Sequence, residues 1–257
     1  MSTRQAPQKI AGVVSGLYDS RRFGRTLCVN PLPMNSRLCN FDCIYCECSA
    51  SSWPLAWDLR PAFPTPEDVH NGLADAAKTF AADELESIIV SGNGEPTLSP
   101  YLDAIVDIVN RARDRDWPQA RTIILTNGTL CNRPAVRAAI AKLDERIIKL
   151  DAGSNWMFDQ LNRPAGRLCA PELLRRISMV NDIVIQSMFV HGPIDNTRPH
   201  EIKRWSAWLT QLRPARVQIY SLDRQPAKNW VRGVSPNELN SIAEYVESTT
   251  GIRAEAF

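Results

Sequence analysis

Several features are missing from this 257-residue sequence, and each absence narrows its interpretation. No run approaches the ~18 consecutive apolar residues of a membrane-spanning helix, so we expect a soluble protein that does not span a membrane. Met1–Gly16 contains no apolar segment typical of a secretory signal. The net charge is only +2, from 30 basic and 28 acidic residues. Charge therefore does not indicate a nucleic-acid partner, although that class of partner stays open.

Cysteine is scarce, yet three of the seven cysteines lie in one short stretch. Cys39, Cys43 and Cys46 have the spacing C-x3-C-x2-C, which offers three thiolates on one tight loop. A [4Fe–4S] cluster that only carries electrons usually takes four cysteines, one for each iron. Three cysteines leave one iron able to bind another ligand, as a catalytic cluster requires.

Three other interpretations of these cysteines carry less weight. A structural zinc site generally needs four ligands, often as two C-x2-C pairs. No second C-x2-C pair follows these cysteines at the spacing of such a site. A disulfide framework is disfavoured by the odd number of cysteines and by a chain long enough to form its own core. Inert buried thiols are common singly but seldom occur in such a group. An iron–sulfur cluster is therefore the favoured interpretation. Because its cysteines must stay reduced, we expect the protein to be in the cytoplasm.

Strand-like and helix-like segments alternate along the chain, which is typical of parallel βαβ units. About six such units fit the length, whereas a complete TIM barrel has eight. We therefore predict the α/β class and a partial (β/α)6 TIM-like barrel, with an open doubly wound sheet as the second choice. Either fold places ligands at the carboxyl ends of the strands. The predicted strands are 26–29, 87–91, 121–127, 146–151, 182–190 and 216–222, and the predicted helices are 66–80, 100–113, 134–143, 171–180, 199–212 and 236–249.

Polar and glycine-rich motifs follow two of the predicted strands. Gly92, Asn93, Gly94 and Glu95 come directly after the second strand, where glycines let backbone groups approach a ligand closely. The alternative is a simple turn. Thr126 and Asn127 end the next strand, although an Asn-Gly pair is also the commonest turn dipeptide.

Later strands carry polar residues on faces where an apolar barrel would not place them without a purpose. Lys149 and Asp151 share one face by period-two alternation. Asp151 is a candidate for binding ribose hydroxyls and Lys149 for meeting a substrate anion or carbonyl; an ion pair between the two is an equal alternative. Gln186 and Tyr220 are candidates for the interior of the barrel.

The three cysteines, with Tyr45 before the last, resemble the signature of the radical S-adenosylmethionine (radical SAM) superfamily. Residues 91–97 resemble its GGEP motif, with Asn93 as a departure, and the Thr-Asn-Gly strand end is similar to that of many members. The resemblance implies a single radical SAM domain over 1–257, with an N-terminal extension 1–25, a cluster loop 35–65, and a barrel of six units. It implies that a [4Fe–4S] cluster is held by the three cysteines and that SAM is bound. The implied SAM-binding residues are Tyr45, Gly92, Asn93, Gly94, Glu95, Thr126, Asn127, Asp151, Gln186 and Leu222.

Three further segments are similar to the iron–sulfur oxidoreductases grouped with the tRNA wyosine synthases: 20–27, 161–164 and 218–224. Wyosine-type modification of a tRNA base is nevertheless disfavoured. Those enzymes carry an extra group of N-terminal cysteines, and only Cys28 lies upstream here. A nearly neutral chain also offers no obvious basic surface for tRNA.

The resemblance implies reductive cleavage of SAM to a 5′-deoxyadenosyl radical, which abstracts hydrogen from an unidentified substrate. Lys149 and Tyr220 are the catalytic candidates, and a flavodoxin or ferredoxin is the implied electron donor. Alternatives are methyl or aminocarboxypropyl transfer, a protein that carries the cluster or SAM without radical turnover, and a zinc-stabilised binding module. Cys28, Cys48, Cys131 and Cys169 are most simply ordinary thiols.

Overall fold

A computed structural model of the chain describes residues 12–46, 63–223 and 228–257. Within these residues, eight strands form one curled sheet in the order β1-β2-β3-β4-β5-β6-β8-β10. All neighbouring pairs are parallel except β1 with β2, which is antiparallel. The strands are β1 (Val14–Ser20), β2 (Gly24–Val29), β3 (Ser87–Val90), β4 (Arg121–Thr126), β5 (Glu145–Lys149), β6 (Ile183–Met188), β8 (Arg216–Tyr220) and β10 (Ala254–Ala256). A separate pair joins β7 (Val190–His191) to β9 (Arg232–Gly233).

Helices connect the parallel strands and cover one face of the sheet. Six βα units run from β2 to the helix after β8, which confirms the predicted partial barrel. Local sequence explains the helix starts: Thr65 forms a capping box with Asp68, and Pro66 occupies the first helical position. The helices are α1 (Pro66–Thr79), α2 (Leu102–Asp116), α3 (Pro134–Ile140), α4 (Asn155–Leu161), α5 (Ala170–Ile177), α6 (Pro199–Leu212) and α7 (Pro236–Thr250).

Side-chain alternation gives the sheet two different faces. Ile88, Ile124, Ile148 and Ile185 face the helices and belong to the main core. On the other face, Ile89, Ile123, Ile147 and Val184 form a second apolar cluster. We call this second face the concave face. Lys149 lies two residues beyond Ile147 and Gln186 two beyond Val184, so polar groups continue this face toward the carboxyl ends of the strands.

The β1–β2 hairpin was not expected from the sequence, which placed residues 1–25 in an extension. The tight turn at 21–23 brings Phe23 onto the concave face, where it is 3% exposed and packs with Ile89, Ile123 and Ile147. The hairpin therefore fills the lower part of the concave face.

At the other helices and strands, the predicted and observed ends differ by only a few residues. The exact ends depend on hydrogen bonding, which the periodicity of the sequence does not report. Strand β5 ends at Lys149, so Asp151 lies just beyond it. The sequence prediction missed α4, and it missed β7 and β9.

In the described part of the chain, no helix is both long and apolar enough to cross a membrane.

Candidate active site

The loop that carries the three cysteines is fastened by backbone hydrogen bonds to the segment that ends α4. The Asp42 amide donates to the carbonyls of Asn162 and Arg163 at 3.0 and 3.1 Å, and the Ile44 amide donates to Leu161 at 2.9 Å. In return, the Ala165 amide donates to the Asn40 carbonyl at 2.8 Å. The 161–164 element, singled out in the sequence, thus holds the cysteine loop against the end of the barrel.

Arg37 fills the inside of the same loop. Its side chain is only 4% exposed, and its guanidinium donates to the Phe41 carbonyl at 2.9 Å and to the Asp42 carboxylate at 3.1 Å. The Phe41 carbonyl lies between Cys39 and Cys43 in the chain, so a buried positive charge sits within the cysteine loop. The electrostatic effect of Cys46, Cys39 and Cys43 raises the pKa of Arg37 despite the opposing effect of burial.

Side-chain amides approach two of the cysteine sulfurs. The Asn162 amide nitrogen lies 3.5 Å from Cys43 Sγ, and the Asn127 amide nitrogen lies 4.0 Å from Cys39 Sγ. Burial raises the pKa of the Cys39 thiol to about 12 and that of Cys43 to about 11. Because iron is bound by thiolates, loading this site must release protons.

The chemistry of the donor set fits a cluster. Within the described ranges, no group of three or more Cys, His, Asp and Glu side chains is close enough together to hold one metal ion. A cubane distributes its cysteines over different irons. The three sulfurs are soft donors of the kind that a [4Fe–4S] cluster takes. Two side-chain amides beside the sulfurs and the enclosed Arg37 cation would support such a cluster.

The two glycines after β3 let the glycine loop lie directly against the cysteine loop. A Cβ on Gly94 (φ +140°) would lie 1.8 Å from the Leu38 carbonyl oxygen, one residue before Cys39. A Cβ on Gly92 would lie 1.8 Å from Asn30 Oδ1. Hydrogen bonds join the loops here: Leu38 donates to the Asn93 carbonyl at 2.8 Å, and Glu95 donates to the Leu38 carbonyl at 2.9 Å.

Glu95 ties the glycine loop to the end of β4. Its buried carboxylate accepts from the Thr97 amide at 3.1 Å, the Thr97 and Thr126 hydroxyls at 2.5 Å, and the Asn127 amide at 2.7 Å. The Asn127 side chain then donates to Asn40 Oδ1 at 2.7 Å. The predicted residues Glu95, Thr126 and Asn127 are thus brought together, with Glu95 occupied by protein donors.

Asp151 is the centre of a buried network. One oxygen accepts from the Tyr45 hydroxyl and, at 2.7 Å, from the Asn162 amide. The other accepts from the Met188 backbone at 2.8 Å and lies 3.3 Å from Lys149 Nζ. The ion pair between Lys149 and Asp151, one of the two alternatives read from the sequence, is therefore present.

The two catalytic candidates contact each other. Lys149 Nζ donates to the Tyr220 hydroxyl at 2.6 Å. Burial lowers the pKa of Lys149, but the charge of Asp151 and the contact with Tyr220 more than offset this, and the pKa is raised. Lys149 is therefore a stable ammonium ion at neutral pH. Gln186 donates to Gln218 at 3.0 Å on the same face, and Leu222 is half-buried just beyond β8.

The sequence model of the radical SAM superfamily matches residues 36–157, which contain the cysteine loop and the glycine loop. Over these residues the chain has the sequence of a radical SAM domain. It is 29% identical over 211 residues to a UPF0026 protein of Synechocystis sp., covering 80% of this chain and 74% of that protein.

Solved structures of radical SAM proteins have the same fold. A structure of TYW1 with a lysine-pyruvate adduct bound has a TM-score of 0.64 at 16% identity, covering 88% of this chain and 74% of that one. A radical SAM methyltransferase from Sphaerobacter thermophilus has a TM-score of 0.62 at 17% identity, covering 90% and 65%. These likenesses show the fold, and the superfamily whose model matches residues 36–157 consists of enzymes that use a [4Fe–4S] cluster and SAM.

The candidate site includes residues that the sequence did not single out individually. Arg37 and Asn162 touch the cysteine loop, and Arg22 stacks on Tyr220 with its guanidinium carbon 4.1 Å from the ring centre. Asn162 and Arg22 lie in segments already noticed as 161–164 and 20–27. No local pattern marks Arg37, because its role depends on burial.

Other sequence features lie away from these contacts. Cys131 is buried and Cys169 is exposed, while Cys48 lies outside the described residues. Cys28 is half-buried on β2, and burial raises its pKa to about 11. Beside the cysteine loop, an open cleft of about 530 Å³ is lined by residues including Arg163, Arg167 and Cys169.

Proposed function

We propose that this enzyme holds a [4Fe–4S] cluster through Cys39, Cys43 and Cys46, binds SAM beside it, and uses the resulting radical to remove hydrogen from a substrate. When bound, the cluster supplies the electron that cleaves SAM to methionine and a 5′-deoxyadenosyl radical. The observation that carries the proposal is the joining of three segments at one end of the barrel. The cysteine loop pairs with the glycine loop through Leu38 and with the α4 end through Asp42.

The glycine loop and the end of β4 are proposed to receive the methionine part of SAM. Gly92 and Gly94 keep side chains away from this surface, and Asn93 remains half-buried beside them. Glu95, Thr126 and Asn127 position the loop through the hydrogen bonds of the Glu95 carboxylate. We therefore assign these three residues to the SAM site, with Glu95 acting through its neighbours.

The adenosine part is proposed to lie between Tyr45 and the ends of the later strands. Asp151 follows β5, Gln186 lies on β6, and Leu222 follows β8. Asp151 already accepts several protein hydrogen bonds, so ribose binding would require a donor such as Tyr45 or Lys149 to move. Lys149 and Tyr220 are proposed to meet the substrate near the reacting carbon, with Lys149 supplying a permanent positive charge.

We propose that the chain acts as a single domain and receives its electron from a flavodoxin or ferredoxin. The cleft that contains Arg163 and Arg167 adjoins the cysteine loop, because Arg163 accepts a hydrogen bond from Asp42. Two arginines there suit an acidic electron carrier. Free thiols that must stay reduced support a cytoplasmic location.

The test is anaerobic reconstitution with iron and sulfide, followed by dithionite and SAM, with products identified by mass spectrometry. We expect 5′-deoxyadenosine from the wild type and none from Cys39→Ala, Cys43→Ala or Cys46→Ala. Cys169→Ala is the matched control, since Cys169 is exposed outside the loop. Methylthioadenosine or S-adenosylhomocysteine in place of 5′-deoxyadenosine would show group transfer instead, and zinc binding without iron would contradict the proposal.

A further inference from the structure

Two segments noticed in the sequence, 20–27 and 218–224, meet on the concave face. Arg21, from the β1–β2 turn, forms an ion pair with Asp223, which follows β8. Its neighbour Arg22 stacks on the ring of Tyr220, at the end of β8. The segments are about 200 residues apart in the chain, since Arg21 and Asp223 are separated by 202 positions. The turn therefore reaches across from β2 to the far side of the curled sheet.

Two cations contact Tyr220. The Arg22 guanidinium carbon is 4.1 Å from the ring centre, and Lys149 Nζ is 4.8 Å from that centre and 2.6 Å from the hydroxyl. Stacking on an aromatic ring fixes the plane of a guanidinium and leaves its edge N–H groups free for a planar oxyanion. A guanidinium held over the ring in this way would suit bidentate binding.

The charges around the ring are not balanced. Asp151 is the carboxylate paired with Lys149, and it also accepts from Tyr45, Asn162 and Met188. Arg22 makes no ion pair with a carboxylate of the described residues, whereas the adjacent Arg21 has Asp223. Of the two cations at the ring, only Lys149 has a carboxylate partner among the described residues, and that carboxylate is fully enclosed.

Both cations are partly exposed. Arg22 is half-buried, and the Lys149 side chain is 19% exposed. The Lys149–Asp151 pair is joined through Tyr45 and Asn162 to the cysteine loop, so this positive site adjoins the position proposed for SAM.

We propose that Arg22 and Lys149 bind an oxyanion of the substrate, a carboxylate or a phosphate, above the ring of Tyr220. Reading this anion as substrate rests on the proposed function. The Arg22 edge would hold the anion in a fixed orientation, and the Lys149 charge would add attraction. The substrate class is therefore an anionic molecule whose reacting carbon lies a short distance from its carboxylate or phosphate.

Protection from phenylglyoxal, which modifies arginine, tests the site on the reconstituted protein with SAM. Inorganic phosphate and malonate are the two probes, with sodium chloride at equal ionic strength as the control. Peptide mass spectrometry follows Arg22 and, in the same molecule, Arg111, which is exposed on α2. We expect phosphate or malonate to slow modification of Arg22 but not of Arg111, and the more protective probe identifies the anion. Equal rates at Arg22 with both probes and with chloride would overturn the site.

Variants make the test specific. Calorimetric titration with the protective probe should give affinity about tenfold or more weaker for Arg22→Gln, because a charge-assisted contact is lost. Arg22→Lys should bind with intermediate affinity, and Arg111→Gln should match the wild type. Wild-type affinity in Arg22→Gln would refute the assignment. Formation of 5′-deoxyadenosine without anion protection overturns this site alone, whereas protection without 5′-deoxyadenosine supports the site and contradicts the proposed function.

Discussion

The side-chain amide of Asn162 lies 3.5 Å from Cys43 Sγ and donates to the Asp151 carboxylate at 2.7 Å. One residue at the end of α4 therefore touches both the cysteine loop and the polar network of the barrel. Outer partners of this kind orient metal ligands and tune the bound group.

Replacing Asn162 by Ala should weaken retention of the cluster by about tenfold or more, as loss of an outer partner commonly does. Iron and sulfide content after reconstitution and desalting measures the effect. Asn240→Ala, at an exposed position of α7, is the control. Equal iron content in the two variants would show that the Asn162 contact with Cys43 is incidental.

Replacing Arg37 by Gln should lower the reduction potential of the cluster. Removing a buried cation destabilises the more negative reduced state, by on the order of 50–100 mV at an effective dielectric of about 20. A redox titration followed by electron paramagnetic resonance gives the potential. Arg37→Lys keeps the charge and should remain near the wild-type value. The explanation fails if Arg37→Gln and Arg37→Lys have the same potential.

Gly94→Ala should lower the free energy of unfolding by about 3 kcal/mol, because the added Cβ meets the Leu38 carbonyl and the φ of +140° is unfavourable for alanine. Gly166→Ala is the matched control: its φ is also positive, at +76°, but no atom lies within 4 Å of the new Cβ. The Gly166→Ala substitution should lower the free energy of unfolding by about 1 kcal/mol. Anaerobic chemical denaturation measures both, and similar losses would mean that contact with Leu38 is unimportant.

His191 should make stability depend on pH. Burial lowers its pKa, but hydrogen bonds to Glu238 and Asp195 outweigh this and raise the pKa above 6.5. A group whose pKa is raised by folding stabilises the protein fully below its unfolded pKa, and the contribution disappears as the pH rises through the folded pKa. The wild type should therefore exceed His191→Gln in stability at about pH 6, and the difference should shrink toward pH 9. Asn240→Ala, at an exposed position of α7 that does not titrate, is the control and should show no such trend. A difference that is constant with pH would contradict the ion-pair explanation.

Reversing charge in the cleft beside the cysteine loop should slow reduction by a protein donor. Arg163→Glu combined with Arg167→Glu should reduce the rate with flavodoxin about tenfold, because rim charges mainly affect association. Reduction by dithionite, a small molecule, should be unchanged. Arg111→Glu gives the same kind of charge change on α2 and is the control. If flavodoxin reduces the double variant at the wild-type rate, the donor docks elsewhere.

The sequence predicted the six βα units well because each helix carries its own proline start or apolar periodicity, as Pro199–Leu212 shows. It predicted the glycine loop because Gly92 and Gly94 directly follow an apolar strand. Strand β1 escaped prediction because VSGLYDS combines a glycine with weak alternation, and its pairing with β2 fixes it.

Contacts between distant residues could not be derived from local patterns. Asn162 meets Cys43 from 119 positions away, and Arg22 meets Tyr220 only because the sheet curls. The sequence placed Lys149 and Asp151 on one face, but the choice of Tyr45 and Asn162 as further partners of Asp151 depends on tertiary packing.

The fastening of the cysteine loop by residues 161–165 also sets an order of events during synthesis. Cys43 leaves the ribosome long before Asn162, and at about 5–20 residues per second the delay over 119 residues is about 6–24 s. During that interval residues 161–165, which fasten the cysteine loop, have not yet been synthesised. A cluster held as the folded structure would hold it can therefore form only after the fifth strand and α4 have been translated, and oxidation of the thiols before then would compete with assembly.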